Sequence, residues 1–201
     1  MIKSIKKVLL FFGLNKIFAL RRLKVVSKIT NTNILKLSIE FEKILEVGCG
    51  NGNDFVQHIS NNNIKIIGLD IRDTGLKKEN FEMIVTDAET ISFPDKYFDL
   101  TFSCGVLEHI QPVEKLSRMI KEIRRVSKRY IVIVPSISTL IEPHTGSIMW
   151  QLRSKRKKES NLQLNYYSDD AWLQFEGFKN AQSKRFFHIP FILTNLLIYK
   201  I

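Results

Sequence analysis

The sequence predicts an α/β fold: a doubly wound, mostly parallel sheet of seven strands with an antiparallel hairpin at its C-terminal end. Three observations carry that expectation. At "KILEVGCGNGNDF", residues 43–55, a continuous apolar run passes directly into a glycine-rich turn. Strand-like and helix-like segments then alternate as far as residue 136, the pattern of strands joined by crossover helices. Two last extended runs, 179–187 and 191–201, are divided by Pro190 and suit a hairpin at the sheet edge.

The strands follow in order. "KILEVG" (43–48) and "IKIIGLDI" (64–71) are the first two, and "FEMIVTD" (81–87) is a weaker third. "YFDLTFS" (97–103) and "RYIVIVPS" (129–136) complete the parallel set. Unbroken apolar runs such as Ile131-Val132-Ile133-Val134 belong in a sheet covered on both faces. A helix is expected after the glycine turn, with Asp54 in its first turn and His58 on its body. A second helix opens at Pro112, with Val113, Leu116, Ile120 and Ile123 on one face. A third is capped by Ser168, carries Asp169 and Asp170 in its first turn, and is expected to end at Gly177. Residues 137–166 lack periodicity and read as a substrate-cap insertion within a domain of residues 41–201. Residues 1–40 read as a basic helical arm or lid.

The chain has 201 residues and a net charge of +11, concentrated in two places. Residues 1–30 hold eight Lys or Arg and no acid, and "RSKRKK" at 153–158 adds five more. Such local basicity points to an anionic partner. Cys49 and Cys104 are the only cysteines and form no CxxC pair, which argues against a disulfide framework and fits a reducing, cytoplasmic setting. Asn15 and Lys16 interrupt the N-terminal apolar stretch, so that segment is expected to be retained and not to span a membrane.

The glycine turn narrows the ligand. In the dinucleotide fingerprint G-x-G-x-x-G, Gly48 and Gly50 fit, but Asn53 stands at the third position. The Walker pattern is absent. Asp54 would repel a pyrophosphate near the turn. The turn therefore suits a nucleoside without phosphates. Asp70 ends the second strand, where a carboxylate can accept from both ribose hydroxyls. Glu46 lies inside the first strand, where burial of an unpaired carboxylate is costly and a ligand ammonium would offset the cost. Adenosine joined to an amino acid, without phosphate, describes S-adenosylmethionine.

"ILEVGCGNG", "IIGLDI", "VTDAE", "FPDKYFDLTFSCGVLEHI" and "RYIVIVPS" resemble, in order and spacing, the motifs of class I S-adenosylmethionine-dependent methyltransferases with their Rossmann-like fold. The closest likeness is to the small-molecule branch that includes ubiquinone and menaquinone methyltransferases. The resemblance implies that Glu46 and the backbone at Gly48 and Gly50 hold the methionine end. It implies further that Asp70 binds ribose, with Ile71 against the adenine face. Asp87 would accept from the adenine amino group and the Ala88 N–H would reach a ring nitrogen. Ser103 and Cys104 would line the wall beside the sulfonium.

The acceptor side offers two loops. "LEHI" supplies Glu108 and His109, and "EPHTG" supplies Glu142 and His144; both are expected to overhang one cleft and provide any general base. His58 and His188 read as structural. The E-x-x-E-H metal set of some relatives has Gly105 in place of its leading glutamate, so no metal is expected. The Asn/Asp-Pro-Pro-aromatic tetrad of amino-directed nucleic-acid enzymes is replaced by "SCGV", which favours an oxygen acceptor on a small or lipid-linked molecule. An RNA methyltransferase using segments 1–30 and 153–158, and a non-catalytic cofactor-binding scaffold, stand as alternatives. Ile2, Ile5, Leu9 and Phe12 make a helical stripe among lysines, either a lid or a peripheral contact with an anionic membrane. The lid is preferred, because Phe11 lies off the stripe.

Overall fold

The computed structural model describes residues 14–31, 41–59, 63–142, 149, 152, 164–189 and 192–201. The N-terminal stripe, "RSKRKK", His144 and the side chain of His188 lie outside the described residues. The elements in chain order are α1 (Leu14–Thr30), β1 (Lys43–Val47), β2 (Lys65–Asp70), β3 (Phe81–Val85) and β4 (Phe98–Cys104). After these come α2 (Val113–Val126), β5 (Ser127–Pro135), α3 (Asp169–Leu173), β6 (Gln182–Ile189) and β7 (Leu193–Lys200).

Seven strands form one sheet in the order β3-β2-β1-β4-β5-β7-β6. The pairs β3–β2, β2–β1, β1–β4 and β4–β5 are parallel, and β5–β7 and β7–β6 are antiparallel. This is the expected doubly wound sheet with its C-terminal hairpin. The strand order reverses between β1 and β4, so the crevice at their carboxyl ends is the natural ligand site.

Alternation along the strands sends side chains to two cores. On one face Leu45, Val47, Val132 and Val134 meet Leu116, Met119, Ile120 and Ile123 of α2 and Trp172 of α3. On the other, Ile44, Leu100, Phe102 and Ile131 meet Leu23 and Val26 of α1 together with Phe55 and Val56. Phe55 stacks on Phe102 with ring centroids 4.7 Å apart. No described helix is long and apolar enough to cross a membrane.

Two expected helical features differ. After the glycine turn the chain makes only a 3₁₀ turn, Val56–His58. The reason is competition for carbonyls: Gln57 Nε2 donates to Asn51 O, the His58 ring pairs with Asn53 O, and Lys78 Nζ donates to Val56 O and Ile59 O. Those are the acceptors that a continuing helix would need. Asp54 consequently pairs with Arg22 of α1 rather than opening a helix. The second difference concerns Gly177. Ser168 does cap α3, its Oγ accepting from Ala171 N at 3.2 Å, but the helix stops at Leu173 and Gly177 lies in a 3₁₀ turn, Glu176–Phe178. Its hydrogen is needed for packing, since a Cβ there would sit 2.6 Å from Ile120 Cγ2 and 2.7 Å from the Ile120 carbonyl.

Backbone cannot yield as a flexible side chain can. Gly177→Ala is therefore expected to destabilise the protein by roughly 1–3 kcal/mol through overpacking, read as a lower denaturation midpoint; an unchanged midpoint would contradict the tight α2 contact.

Candidate functional site

The site is built where β1 and β4 end side by side. Gly48, Gly50 and Gly52 all have positive φ, at 74°, 48° and 69°, a region that glycine enters without Cβ strain. Gly48 also admits the next loop: a Cβ on it would lie 2.2 Å from Val106 Cγ2. The turn is hung on β2 by Gly48 N and Cys49 N, which donate to Leu69 O at 2.7 and 3.1 Å.

Asp70, at the end of β2, fixes the turn's orientation. Its Oδ2 accepts from Gly50 N at 3.0 Å and its Oδ1 from Arg72 N at 3.1 Å. A carboxylate offers about four lone-pair sites, so two amides leave capacity for a pair of hydroxyls. Beside it, Ile71 is 70% exposed, an apolar surface at the cleft rim.

Glu46 is 2% exposed, and Val56 N donates to its Oε2 at 3.3 Å. Burial pushes its pKa from 4.5 up to about 8, against the smaller opposing effects of the Val56 amide and the Arg22 charge. Arg22 does not neutralise it fully, because its guanidinium pairs with Asp54. A ligand ammonium beside Glu46 would supply the missing counter-charge.

The loop after β3, which carries Asp87 and Ala88, is held by α2. Lys115 Nζ pairs with Asp87 Oδ2, Arg118 with Glu89, and Arg125 Nη1 donates to Phe93 O at 2.8 Å and Nη2 to Ile91 O at 2.7 Å. Burial raises the Asp87 pKa, but Lys115 and the Glu89 amide outweigh it and take the carboxyl below its ordinary value. Ala88 is buried in the core beneath.

The two residues at the end of β4 part company. Cys104 lies on the same face as Phe102 and Glu46, and its thiol feels the charges of Arg22, Glu108 and Glu46. Ser103 pairs in register with Val47 and Val132, which belong to the opposite face. Its hydroxyl is buried there without a hydrogen-bond partner among the described residues, on the face opposite to Cys104. Burial raises the Cys104 pKa to about 11 and that of Cys49 to about 12, which keeps both as neutral thiols.

The acceptor loops converge. Glu108, on the 3₁₀ turn Leu107–His109, is 1% exposed, and Glu142 is fully buried. Glu108 Oε1 lies 3.8 Å from where a Gly105 Cβ would be, so the carboxylate hangs over the end of β4. The Tyr166 hydroxyl donates to Glu142 Oε1, and burial together with the charges of Glu142 and Glu108 raises its pKa far above the usual phenol value. His109 is exposed. The turn is clamped by Asn165, whose N donates to Glu108 O at 2.7 Å. Its Nδ2 donates to Leu107 O at 3.2 Å and Ile110 O at 2.6 Å, while its Oδ1 accepts from Gln111 Nε2 at 2.7 Å.

Arg22, Lys115, Asn165 and Tyr166 are absent from the sequence-based site. Nothing in their local spacing marks them, because each reaches the cleft through a tertiary contact. The adjacent Asn165-Tyr166 in an aperiodic stretch was the one available signal.

A glycine turn, Asp70 bound to its amide, the buried Glu46 and the ordered strands around them make one pattern. A family profile described as "Methyltransferase domain" matches residues 45–133. Residues 45–133 thus carry the pattern of a methyltransferase domain, and Glu46, Asp70 and Ile71 bring a buried carboxylate, spare acceptor capacity and an exposed apolar side chain to the ends of its first two strands. Among solved structures, a Thermotoga maritima S-adenosylmethionine-dependent methyltransferase described as a possible histamine N-methyltransferase is 14% identical, with a TM-score of 0.61 over 99% of this chain and 94% of that one. A Pyrococcus horikoshii OT3 protein is 22% identical, with a TM-score of 0.54 over 79% of this chain and 81% of that one. A putative methyltransferase of Haloferax volcanii, solved in complex with the Trm112 methyltransferase activator, is 13% identical, with a TM-score of 0.58 over 82% and 85%. No curated protein matches the chain.

The raised Glu46 pKa sets a pH dependence. Folding takes up a proton there between 4.5 and 8, so this group's stabilising contribution is full below 4.5 and lost as pH rises through 8. In thermal melts without cofactor, Glu46→Gln is expected to match the parent at about pH 5 and to melt several degrees higher above pH 8; parallel curves at all pH would refute the assignment.

Proposed function

We propose that this protein transfers the methyl group of S-adenosylmethionine to a hydroxyl oxygen of a small or lipid-linked acceptor, seated against Glu108, Glu142 and Tyr166. The observation that carries this reading is a pair of buried carboxylates, Glu108 and Glu142, whose charges both act on Tyr166. An acceptor hydroxyl seated beside Glu108 would have a carboxylate to donate to.

When bound, the cofactor supplies an already activated methyl on a sulfonium, so the protein's task is to place a nucleophile in line with it. Glu46 binds the ammonium of the methionine end. Asp70 accepts from the ribose hydroxyls, Ile71 covers an adenine face, and Asp87 with the Ala88 N–H takes the adenine edge, Lys115 giving up part of its hold on Asp87. Cys104 forms the wall between the cofactor and acceptor sides as a neutral, unreactive thiol. Glu108 accepts the proton that the acceptor hydroxyl loses. Tyr166 orients Glu142, and Asn165 keeps the turn bearing Glu108 and His109 in place. His144 belongs to the same acceptor loop as Glu142 and is proposed to contact substrate.

Two variants separate the halves of the site. Asp70→Ala is expected to weaken S-adenosylmethionine binding by about a hundredfold or more, as two hydrogen bonds to a charged group are lost; unchanged calorimetric affinity would sink the cofactor assignment. Glu108→Gln should keep that affinity while lowering S-adenosylhomocysteine release with a panel of hydroxylated acceptors by roughly 10²–10⁴-fold. Turnover at the parent rate would remove Glu108 as the base.

A further inference from the structure

The inner face of α1 is accounted for: Ala19, Leu23 and Val26 are buried in the core, and Arg22 reaches Asp54 at the cofactor cleft. The outer face serves no purpose within the described fold. With about 100° between successive residues, Lys16, Leu20, Lys24, Ile17 and Lys28 follow one another across an arc of about 120°. All five are exposed, Ile17 at 44% and Leu20 at 38%. The helix LNKIFALRRLKVVSKIT contains no acid, so the outer lysines have no carboxylate of their own helix to pair with. Lys24 and Lys28 stand four residues apart as like charges, an arrangement that costs helix stability.

α1 packs on the β6 side, and Phe186 of β6 joins the same core. Two residues earlier on the strand, Lys184 points to the same side and is exposed.

We infer that the outer face of α1 is a docking surface for an anionic lipid bilayer, with Lys16, Lys24, Lys28 and Lys184 at the headgroups and Ile17 and Leu20 in the acyl boundary. Charge alone would fit any polyanion. The aliphatic pair among the cations decides for lipid, because interfacial helices combine lysines with apolar residues that enter the bilayer. A single-stranded nucleic acid would instead call for an aromatic platform, and no aromatic residue of α1 falls on this arc. Docking by this face leaves the inner face of α1 on the protein and would bring a lipid-linked acceptor close to the cleft, yet it holds whichever acceptor is methylated.

The test is co-sedimentation of the full-length protein with vesicles of phosphatidylcholine alone and of phosphatidylcholine containing one third phosphatidylglycerol. Binding to the second and not the first is expected, falling steeply between about 0.1 M and about 1 M salt as screening shortens. Replacing Lys16, Lys24 and Lys28 together by Gln should reduce the partition coefficient roughly a hundredfold, each lysine being worth about a factor of five near an anionic surface. Ile17→Ser with Leu20→Ser should weaken binding without changing its salt dependence. Circular dichroism and S-adenosylmethionine calorimetry on the same variants are expected to stay at parent values, which separates this inference from the cofactor and acceptor assignments. Equal binding to both vesicles, binding to neither, an unaffected lysine variant, or displacement from anionic vesicles by a homopolymeric RNA would each overturn it.

Discussion

A carboxylate withdrawn from water at the end of the central strand governs the arrangement around it. Glu46 sits between β2 and β4 in the middle of the sheet, paired in register with Gly68 and Phe102. An amide donor, Val56, comes from the 3₁₀ turn that follows the glycines, and the cation acting on it, Arg22, comes from α1 and is shared with Asp54. Turn, helix and strand thus meet at a group whose charge the fold only partly compensates. That deficit is a binding property: it favours a ligand that brings its own positive charge.

Around this point further carboxylates gather. Asp70 and Asp87, proposed for the nucleoside, are each already engaged, one by backbone amides and the other by Lys115. Glu108 and Glu142, proposed for the acceptor, both act on Tyr166. Cys104 feels acids from both regions. The glycines at positions 48 and 105, both with positive φ, let the loops after β1 and β4 lie close together, as the contact of Val106 over Gly48 shows.

Much of this was legible in the chain. Apolar runs gave all five parallel strands to within two residues; the four inner ones, β1, β2, β4 and β5, are buried on both faces and so keep nearly unbroken apolar runs, whereas β3 at the sheet edge carries a weaker signal. The helix at Pro112 was equally clear from its apolar spacing, although its first residue, Val113, is exposed. The helix expected after the glycines was not formed, since side chains of Gln57, His58 and Lys78 take the carbonyls it required, and Lys78 is some twenty residues away. Ser103 was placed by motif order, whereas strand alternation decides its face. Arg22, Asn165 and Tyr166 escaped notice for a related reason: contacts spanning 24 to 58 positions leave no local periodicity.

The position of β7 has a consequence for how the chain is made. In space β7 lies between β5 and β6, yet in sequence it follows both. As the polypeptide leaves the ribosome, β6 emerges with no strand beside β5 to pair with and must wait for β7 to slide between them. Until then the edge of β5 presents unpaired amides and carbonyls, an adhesive surface on a nascent chain. Completion of the sheet is therefore a late event in biosynthesis, and the fold is most vulnerable to stray pairing just before its final strand is added.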